Sequence, residues 1–318
     1  MFRFLGSFVF EYELKALTGI RIGGSKENFD IGGLDNPVIK TYISIPDFYG
    51  KGYDLPKGTP YIPGSSIKGK IRSLLEWATG RVGNMIKKRD VEEMLRKAEE
   101  KKKEAEEMKK RAEMTKEAEI EKKAKEAMKD AKALIKEAIS IAGSPCDCGK
   151  CSICILFGTG NAKTLENLPL QEQPGPPRLI FSDAYPTKKT LEMLQKELGE
   201  GIFTEIKTEN QINRINSRAN PRKVERVPAG AVFVGRIVFN LYKEEDKNLL
   251  SLLLQGMRML EYNYLGGYGS RGSGRVKFEK LNVEFKSKSA YLGKAEPKRI
   301  EGKKLEEIRV EELLELCS

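Results

Sequence analysis

"FVFEYEL", residues 8–14, sets Phe8, Phe10, Tyr12 and Leu14 on one side of the chain and Val9, Glu11 and Glu13 on the other. An apolar period of two is the pattern of a β-strand buried on one face. Downstream, "PGSSIKGKIRSLLEWATG" (63–80) opens with Pro-Gly and two serines suited to an N-cap. Ile67, Ile71, Leu74, Leu75 and Ala78 then recur at helical spacing. "RLIFSDA" (178–184) and "AVFVGRIVFNLY" (231–242) are rich in β-branched and aromatic residues and read as strands. "KNLLSLLLQGMRMLEY" (247–262) predicts a second helix with a wide apolar stripe, and "RVKFEKLNVEFK" (275–286) a closing strand. With insertions set aside, the order is β-α-β-β-α-β, which predicts an α+β, ferredoxin-like (RRM-like) core.

The core is assigned to 1–84, 161–200 and 229–285, and three segments interrupt it. Residues 85–142 form a charged arm or lid: there is no Gly or Pro from Met85 to Ala142, and Lys87–Glu137 holds 18 basic and 15 acidic residues. Mixed signs of that kind make a solvated helical surface rather than a basic tail. Met108, Ala112, Ile120, Ala124, Ala127, Ala131, Leu134 and Ala138 form a narrow stripe, compatible with a helical hairpin or one long arm. Residues 143–160 carry "CDCGKCSIC" (146–154), and 201–228 are polar, basic and core-poor, the pattern of a projecting hairpin. Residues 286–318 are a charged C-terminal extension, with a short helix expected around "KKLEEIRVEELLELC".

Composition narrows the chemistry. The chain has 318 residues, no histidine, and 57 Lys+Arg against 46 Asp+Glu, a net charge of +11. Imidazole acid/base catalysis and Ser-His or Cys-His nucleophiles are therefore excluded, and the basic balance suits a polyanionic partner. No apolar run approaches the length of a membrane span and the first residues lack a signal-peptide order, so no membrane partner and a cytoplasmic location are expected. Abundant Lys and Glu match the composition of thermophile proteins.

Four groups of residues can carry function. Ser65, Ser66, Lys68, Lys70 and Arg72 place a helix N-terminus beside cations, an anion site by geometry. In "YLGGYGSRGSGRV" (264–276), Gly266, Gly267, Gly272 and Gly274 let backbone N–H groups approach a phosphate, with Ser270, Arg271 and Arg275 adding hydroxyl and charge. Lys207, Asn210, Arg214, Arg218, Arg222 and Arg226 in the projecting segment offer guanidiniums and amides to phosphates, riboses and base edges. Cys146, Cys148, Cys151 and Cys154 suit a tetrahedral structural zinc, with an iron–sulfur cluster or disulfides as the open alternatives. Asp35, in "GGLDNPVIK" (32–40), is equally at home as a turn residue.

Taken together, "TGIRIGG", "GGLDNPVI", "PYIPGSSIKGKIRSLLE", the cysteine run with its following Leu-Phe-Gly, "TEIKTENQINRINSRANPRKVERVPAG" and "LGGYGSRGSGRV" resemble the RAMP family of CRISPR systems. The resemblance is to the backbone subunit of the type III-A (Csm) effector complex, and it covers nearly the whole chain apart from the arm and tail. It implies a subunit that polymerises with copies of itself along a CRISPR guide RNA, beside other Csm subunits, with complementary target RNA as substrate. It further implies that Lys207–Arg226 is a thumb displacing a base of the guide–target duplex. The Ser65–Arg72 helix end and the Gly266–Arg275 loop become the guide track, and Asp35 becomes the acid needed for Mg²⁺- or Mn²⁺-dependent endoribonuclease cleavage. A non-catalytic RNA-binding scaffold of the same complex is the alternative. The long charged arm departs from the family, whose members carry a smaller lid there.

Overall fold

The computed structural model describes residues 2–23, 37–83, 87–159, 166, 169 and 172–317. In chain order its first elements are β1 (Gly6–Ala16), α1 (Gly64–Ala78), α2 (Lys88–Thr115), α3 (Ala118–Ala142), α4 (Ser152–Phe157), β2 (Leu179–Phe181), β3 (Tyr185–Pro186) and α5 (Lys188–Leu198). There follow β4 (Glu205–Ile212), β5 (Ala219–Arg226), β6 (Val232–Leu241), α6 (Leu250–Glu261), β7 (Val276–Ser287), α7 (Lys288–Tyr291), β8 (Lys298–Lys303) and α8 (Val310–Leu316).

The alternation of residues 8–14 makes β1 the centre of an antiparallel sheet ordered β2-β6-β1-β7-β8, with β3 also paired to β6. On one side Phe8 lies opposite Phe239 and Leu14 opposite Phe233; on the other, Phe8 meets Phe285 and Tyr12 meets Leu281. A bulge between Glu13 and Leu14 shifts the β7 register. Both connections, β1 through α1 to β2 and β6 through α6 to β7, step over a neighbouring strand. Ile67, Ile71 and Leu75 of α1 and Leu253, Leu254, Met257 and Leu260 of α6 join the strand aromatics in one core. Glu11, Arg236 and Lys280 point to the uncovered face and are exposed. The two helices touch at Gly256, where a Cβ would sit 2.5 Å from Ile71 Cγ2.

A buried ion pair closes one end of the sheet. Arg178, 1% exposed, donates through Nε to Asp246 Oδ2 at 3.0 Å, and that oxygen also accepts the Tyr242 and Lys243 N–H groups. Such a pair is costly to break because removing either side strands a buried charge.

The charged arm is two antiparallel helices, α2 and α3, that turn at Lys116 in left-handed conformation (φ 56°). Ala98, Ala105 and Ala112 of α2 and Ala124, Ala131 and Ala138 of α3 are its buried residues, each spaced by seven. Ala98 and Ala105 extend the stripe read from sequence. A salt bridge from Lys101 to Asp130 (2.8 Å) ties the two helices on the outside.

The C-terminal residues are part of the core rather than an appendage. Strand β8 pairs with β7, and Leu305, Ile308 and Leu313 are buried. The expected tail helix begins only at Val310; Lys304–Glu307 forms a capped 3₁₀ turn instead, in which the Glu307 carboxylate accepts the Lys304 N–H. Helix α5, capped by the Thr187 hydroxyl accepting from the Thr190 N–H, is a further addition to the elements read from sequence.

Candidate nucleic-acid interface and metal site

Three segments distant in sequence meet beside the C-terminal end of β1. Strands β4 and β5 form a separate two-stranded ribbon, with Glu205 opposite Arg226 and Ile212 opposite Ala219. Its outer half is exposed on both faces, and Asn213 shapes the tip by accepting the N–H groups of Ile215 and Asn216. Lys207 Nζ donates to the Arg271 carbonyl at 3.3 Å, tying the ribbon to the glycine loop. Gly267 N–H donates to the Arg21 carbonyl at 2.8 Å, tying that loop to the chain leaving β1. Gly23 and Val38 then bridge each other. The chain thus departs at Gly23 and returns at Val38 at one point, between ribbon root and glycine loop. Asp35 lies outside the described residues.

Glu225 is the peg of this junction and was not read from sequence. It is 4% exposed, and its carboxylate accepts the Val38 N–H (2.7 Å), the Thr204 hydroxyl (2.6 Å) and the Lys40 ammonium. Burial pushes its pKa up, but the bonds from Lys40, Thr204 and Val38 outweigh burial and hold the carboxyl below the ordinary glutamate value. A glutamate two residues before a valine-proline step carries no signal separating such a peg from a surface acid.

The ribbon and loop enclose an open cleft of about 880 Å³ lined by Lys207, Asn210, Arg214, Arg222 and Arg271, with Glu209 as its acid. Arg222 also donates to Gln211 Oε1 at 2.7 Å, and Arg271 lies 3.8 Å from Glu209. Arg218 is exposed at the tip. Arg226 is placed differently: its Nε donates to Glu205 at 2.6 Å and its side chain lies against Gly19, so it braces the root rather than lining the cleft.

The glycine loop folds around its own needs. Gly266, Gly272 and Gly274 have φ near +83°, and a Cβ on Gly266 or Gly274 would lie 2.1–2.2 Å from the Arg21 or Leu265 carbonyl oxygen. The N–H groups of Gly267, Gly272 and Gly274 donate to protein carbonyls, which corrects the expectation that these amides face a ligand. What the loop presents outward is Ser270, Arg271 and Arg275, all exposed. Arg271 and Arg21 both pack on the Tyr268 ring, at 5.2 and 5.1 Å.

At the α1 N-terminus the Gly64 N–H donates to Asp183 Oδ1, while Ser65 is exposed and Ser66 half-buried. Lys68 and Lys70 are half-buried, and burial lowers both pKa values, with Arg72 adding to the effect at Lys68. Arg72 does not share their face as a ligand. Its guanidinium donates to Glu76 (2.8 Å), the Gly158 carbonyl (3.0 Å) and the Cys146 carbonyl (2.6 Å). That makes it the strut between α1 and the cysteine loop, a role its type and spacing did not reveal.

The four cysteines converge. Their sulfurs lie within 4.8 Å of one another, with Cys146 to Cys148 and to Cys151 at 3.6 Å and Cys148 to Cys154 at 3.9 Å. Four sulfurs each about 2.3 Å from one tetrahedral ion are about 3.8 Å apart, so the set fits a single metal ion. A polynuclear cluster, with several irons between the sulfurs, needs a wider cage. Crowding splits the thiols: the hydrogen bond from Cys154 holds Cys151 down at about 4, and burial pushes Cys146 up to about 11. A bound cation would resolve that conflict by taking every sulfur as thiolate. The loop is also mounted from outside, with Glu76 accepting the Cys146 N–H at 3.1 Å and Lys87 donating to Asp147 at 2.9 Å.

No helix among the described residues is long and apolar enough to cross a membrane. The family model of the RAMP superfamily matches residues 13–277. The "CRISPR system Cms endoribonuclease Csm3" of Methanothermobacter thermautotrophicus is 33% identical over 299 residues, covering 92% of each chain. The protein of the same name from Methanocaldococcus jannaschii is 33% identical over 323 residues, covering 98% of this chain and 92% of its own. Among solved structures, the Csm3 crystal structure from Methanopyrus kandleri covers 98% of this chain and 97% of its own, at 21% identity and a TM-score of 0.49.

Proposed function

The chain belongs to the RAMP superfamily, on its Csm3 branch, and from that premise we propose that it is a guide-RNA-binding backbone subunit of a type III-A CRISPR effector that cleaves guide-paired target RNA. The strand order β2-β6-β1-β7 with α1 and α6 in the two crossovers supports a ferredoxin-like reading of the core. The observation that carries the functional proposal is the junction at Gly23 and Val38. There the ribbon, the glycine loop and both ends of the segment holding Asp35 come together.

In this reading the guide runs past Ser65, Ser66, Lys68 and Lys70 and the outward groups Ser270, Arg271 and Arg275. The ribbon acts as a thumb, offering Lys207, Asn210, Arg214, Arg218 and Arg222 to the duplex. A splayed target nucleotide can turn its own 2′-oxygen in line with the scissile bond. That oxygen forms a bond to phosphorus as the P–O5′ bond breaks, leaving a 2′,3′-cyclic phosphate and, once the departing oxygen takes a proton, a 5′-hydroxyl. Asp35 supplies the negative charge beside the 2′-OH and accepts its proton or holds a divalent ion. Mg²⁺ or Mn²⁺, when bound, offsets phosphate charge. No histidine enters the scheme. Cys146, Cys148, Cys151 and Cys154 would hold a structural zinc, which would brace the loop that Arg72 and Glu76 tie to α1. Copies of the chain, other Csm subunits, guide RNA and target RNA are its partners.

The test is an assembled complex carrying Asp35→Ala. Loss of regularly spaced target cleavage with unchanged guide content is expected. Cleavage that persists at the same spacing would leave the chain a scaffold only.

A further inference from the structure

Between the outer faces of α1 and α6 lies a cleft with no role in the reading above. It has a volume of about 330 Å³ and is lined by Leu74 of α1 and by Gln255, Arg258, Met259, Tyr262 and Asn263 at the end of α6. Because Gly256 lets the two helices touch, the cleft is shallow, with half-buried Leu74 and Met259 as its floor. Leu260 is sealed in the core, but Tyr262, past the last turn, stands 93% exposed. Lys70, one turn before Leu74, holds its ammonium 3.8 Å from the centre of the Tyr264 ring. Residues 70, 74 and 77 share a helical face, and Trp77 is 57% exposed.

One bare ring is ordinary on a protein surface. Here bare Tyr262 lines an apolar floor with an amide rim, bare Trp77 follows Leu74 of that floor on the same face of α1, and a cation is already seated on a third ring. Stacking surface, edge donors and a phosphate partner in that order are what a single strand of RNA requires. The cleft also begins where the α1 cations end, so it prolongs the proposed track.

We infer that this cleft is a base-stacking subsite for single-stranded RNA, in which Tyr262 and Trp77 offer their faces to bases and Lys70, at the near end, meets the phosphate that enters. The inference rests on the RNA-binding reading and lengthens that track by about 10 Å, seven residues of helix at about 1.5 Å each. Gln255 and Asn263 stand at the rim, where they can meet base edges.

The chain has one tryptophan, so Trp77 emission reports on the site directly. The full-length protein is titrated with oligouridine and, separately, with an abasic oligonucleotide of the same length. Oligouridine should quench the emission and the abasic strand should not. Tyr262→Ala should weaken oligouridine binding at least about fivefold while leaving abasic binding and the salt dependence unchanged; Tyr262→Phe should restore it. Oligouridine that binds with no change in Trp77 emission, and with no sensitivity to Tyr262→Ala, would overturn the subsite and leave the RNA reading standing. Failure to bind either strand would remove the RNA reading and the subsite with it. Emission that shifts with protein concentration alone would make the cleft a contact between copies, and would also overturn the inference.

Discussion

Replacing Glu225 measures how firmly the ribbon root holds the returning chain at Val38. In Glu225→Ala the Val38 N–H, on a residue 4% exposed, loses its acceptor, which costs about 1–3 kcal/mol. The half-buried Thr204 hydroxyl loses its partner as well, about 1 kcal/mol. Lys40 is 35% exposed and can turn to water, so its share is below about 1 kcal/mol. The expected loss is about 3 kcal/mol, read as a lowered urea midpoint at unchanged slope. Glu225→Gln keeps one oxygen to accept the Val38 N–H and turns its NH₂ toward the Thr204 hydroxyl, which can rotate to accept it, so it should lose only about 1 kcal/mol. Because the folded carboxyl titrates below the ordinary glutamate value, its contribution is complete above the unfolded pKa of about 4.3. It is lost as pH falls through the folded pKa. The deficit of the glutamine variant should therefore be flat near neutrality and close in acid. An alanine variant within about 0.5 kcal/mol of the parent, or a glutamine deficit that persists in acid, would refute the assignment.

Four further outcomes follow from the site. Lys68→Ala with Lys70→Ala should flatten the log–log salt dependence of single-stranded RNA affinity by about 1.4, two phosphates at about 0.7 each. Arg72→Ala should leave that slope unchanged while lowering the melting temperature, since its three partners lie on α1 and the cysteine loop. Gly266→Ala must move its loop off the Arg21 carbonyl, losing about 1–2 kcal/mol to the left-handed backbone and about 1 kcal/mol to the Gly267 hydrogen bond; denaturant titration and RNA affinity should both report it. Elemental analysis should find one metal per chain, and stripping it with a chelator in mild acid should lower the melting temperature, an effect reversed on adding zinc.

The strands and the two core helices were legible because alternation and helical spacing are written directly in Phe8 to Leu14 and Ile67 to Leu75. Helix α5 was missed although Thr187 is an ordinary cap, because an apolar face of Leu191 and Leu194 among lysines and glutamates is thin. Strand β8, "KRIEGK", has almost no apolar pattern; it exists because β7 offers an unpaired edge. At the site, residue type marked the segments but not the contacts their side chains make. Arginines 72 and 226 look like ligands in sequence and are struts in space, since only three-dimensional proximity decides which carbonyl or carboxylate a guanidinium meets. Glycines that suggested an open phosphate cradle instead admit the carbonyls of Arg21 and Leu265. Glu225, Trp77 and Tyr262 carried no signal of their own, and what sets them apart is burial or its lack.

The alanine seam of the arm sets a rule for changing its length. The buried positions of the seam between α2 and α3 are all alanines, Ala98, Ala105 and Ala112 against Ala124, Ala131 and Ala138, with half-buried Met108, Ile120 and Leu134 beside them. Excising seven residues from each helix keeps small side chains facing small side chains and shortens the lever by about 10 Å; an excision that is not a multiple of seven turns the alanines of that helix out of register with the next ones along it. The arm can therefore grow or shrink only in quantised steps, like a ratchet rule, while the domain that carries it stays untouched.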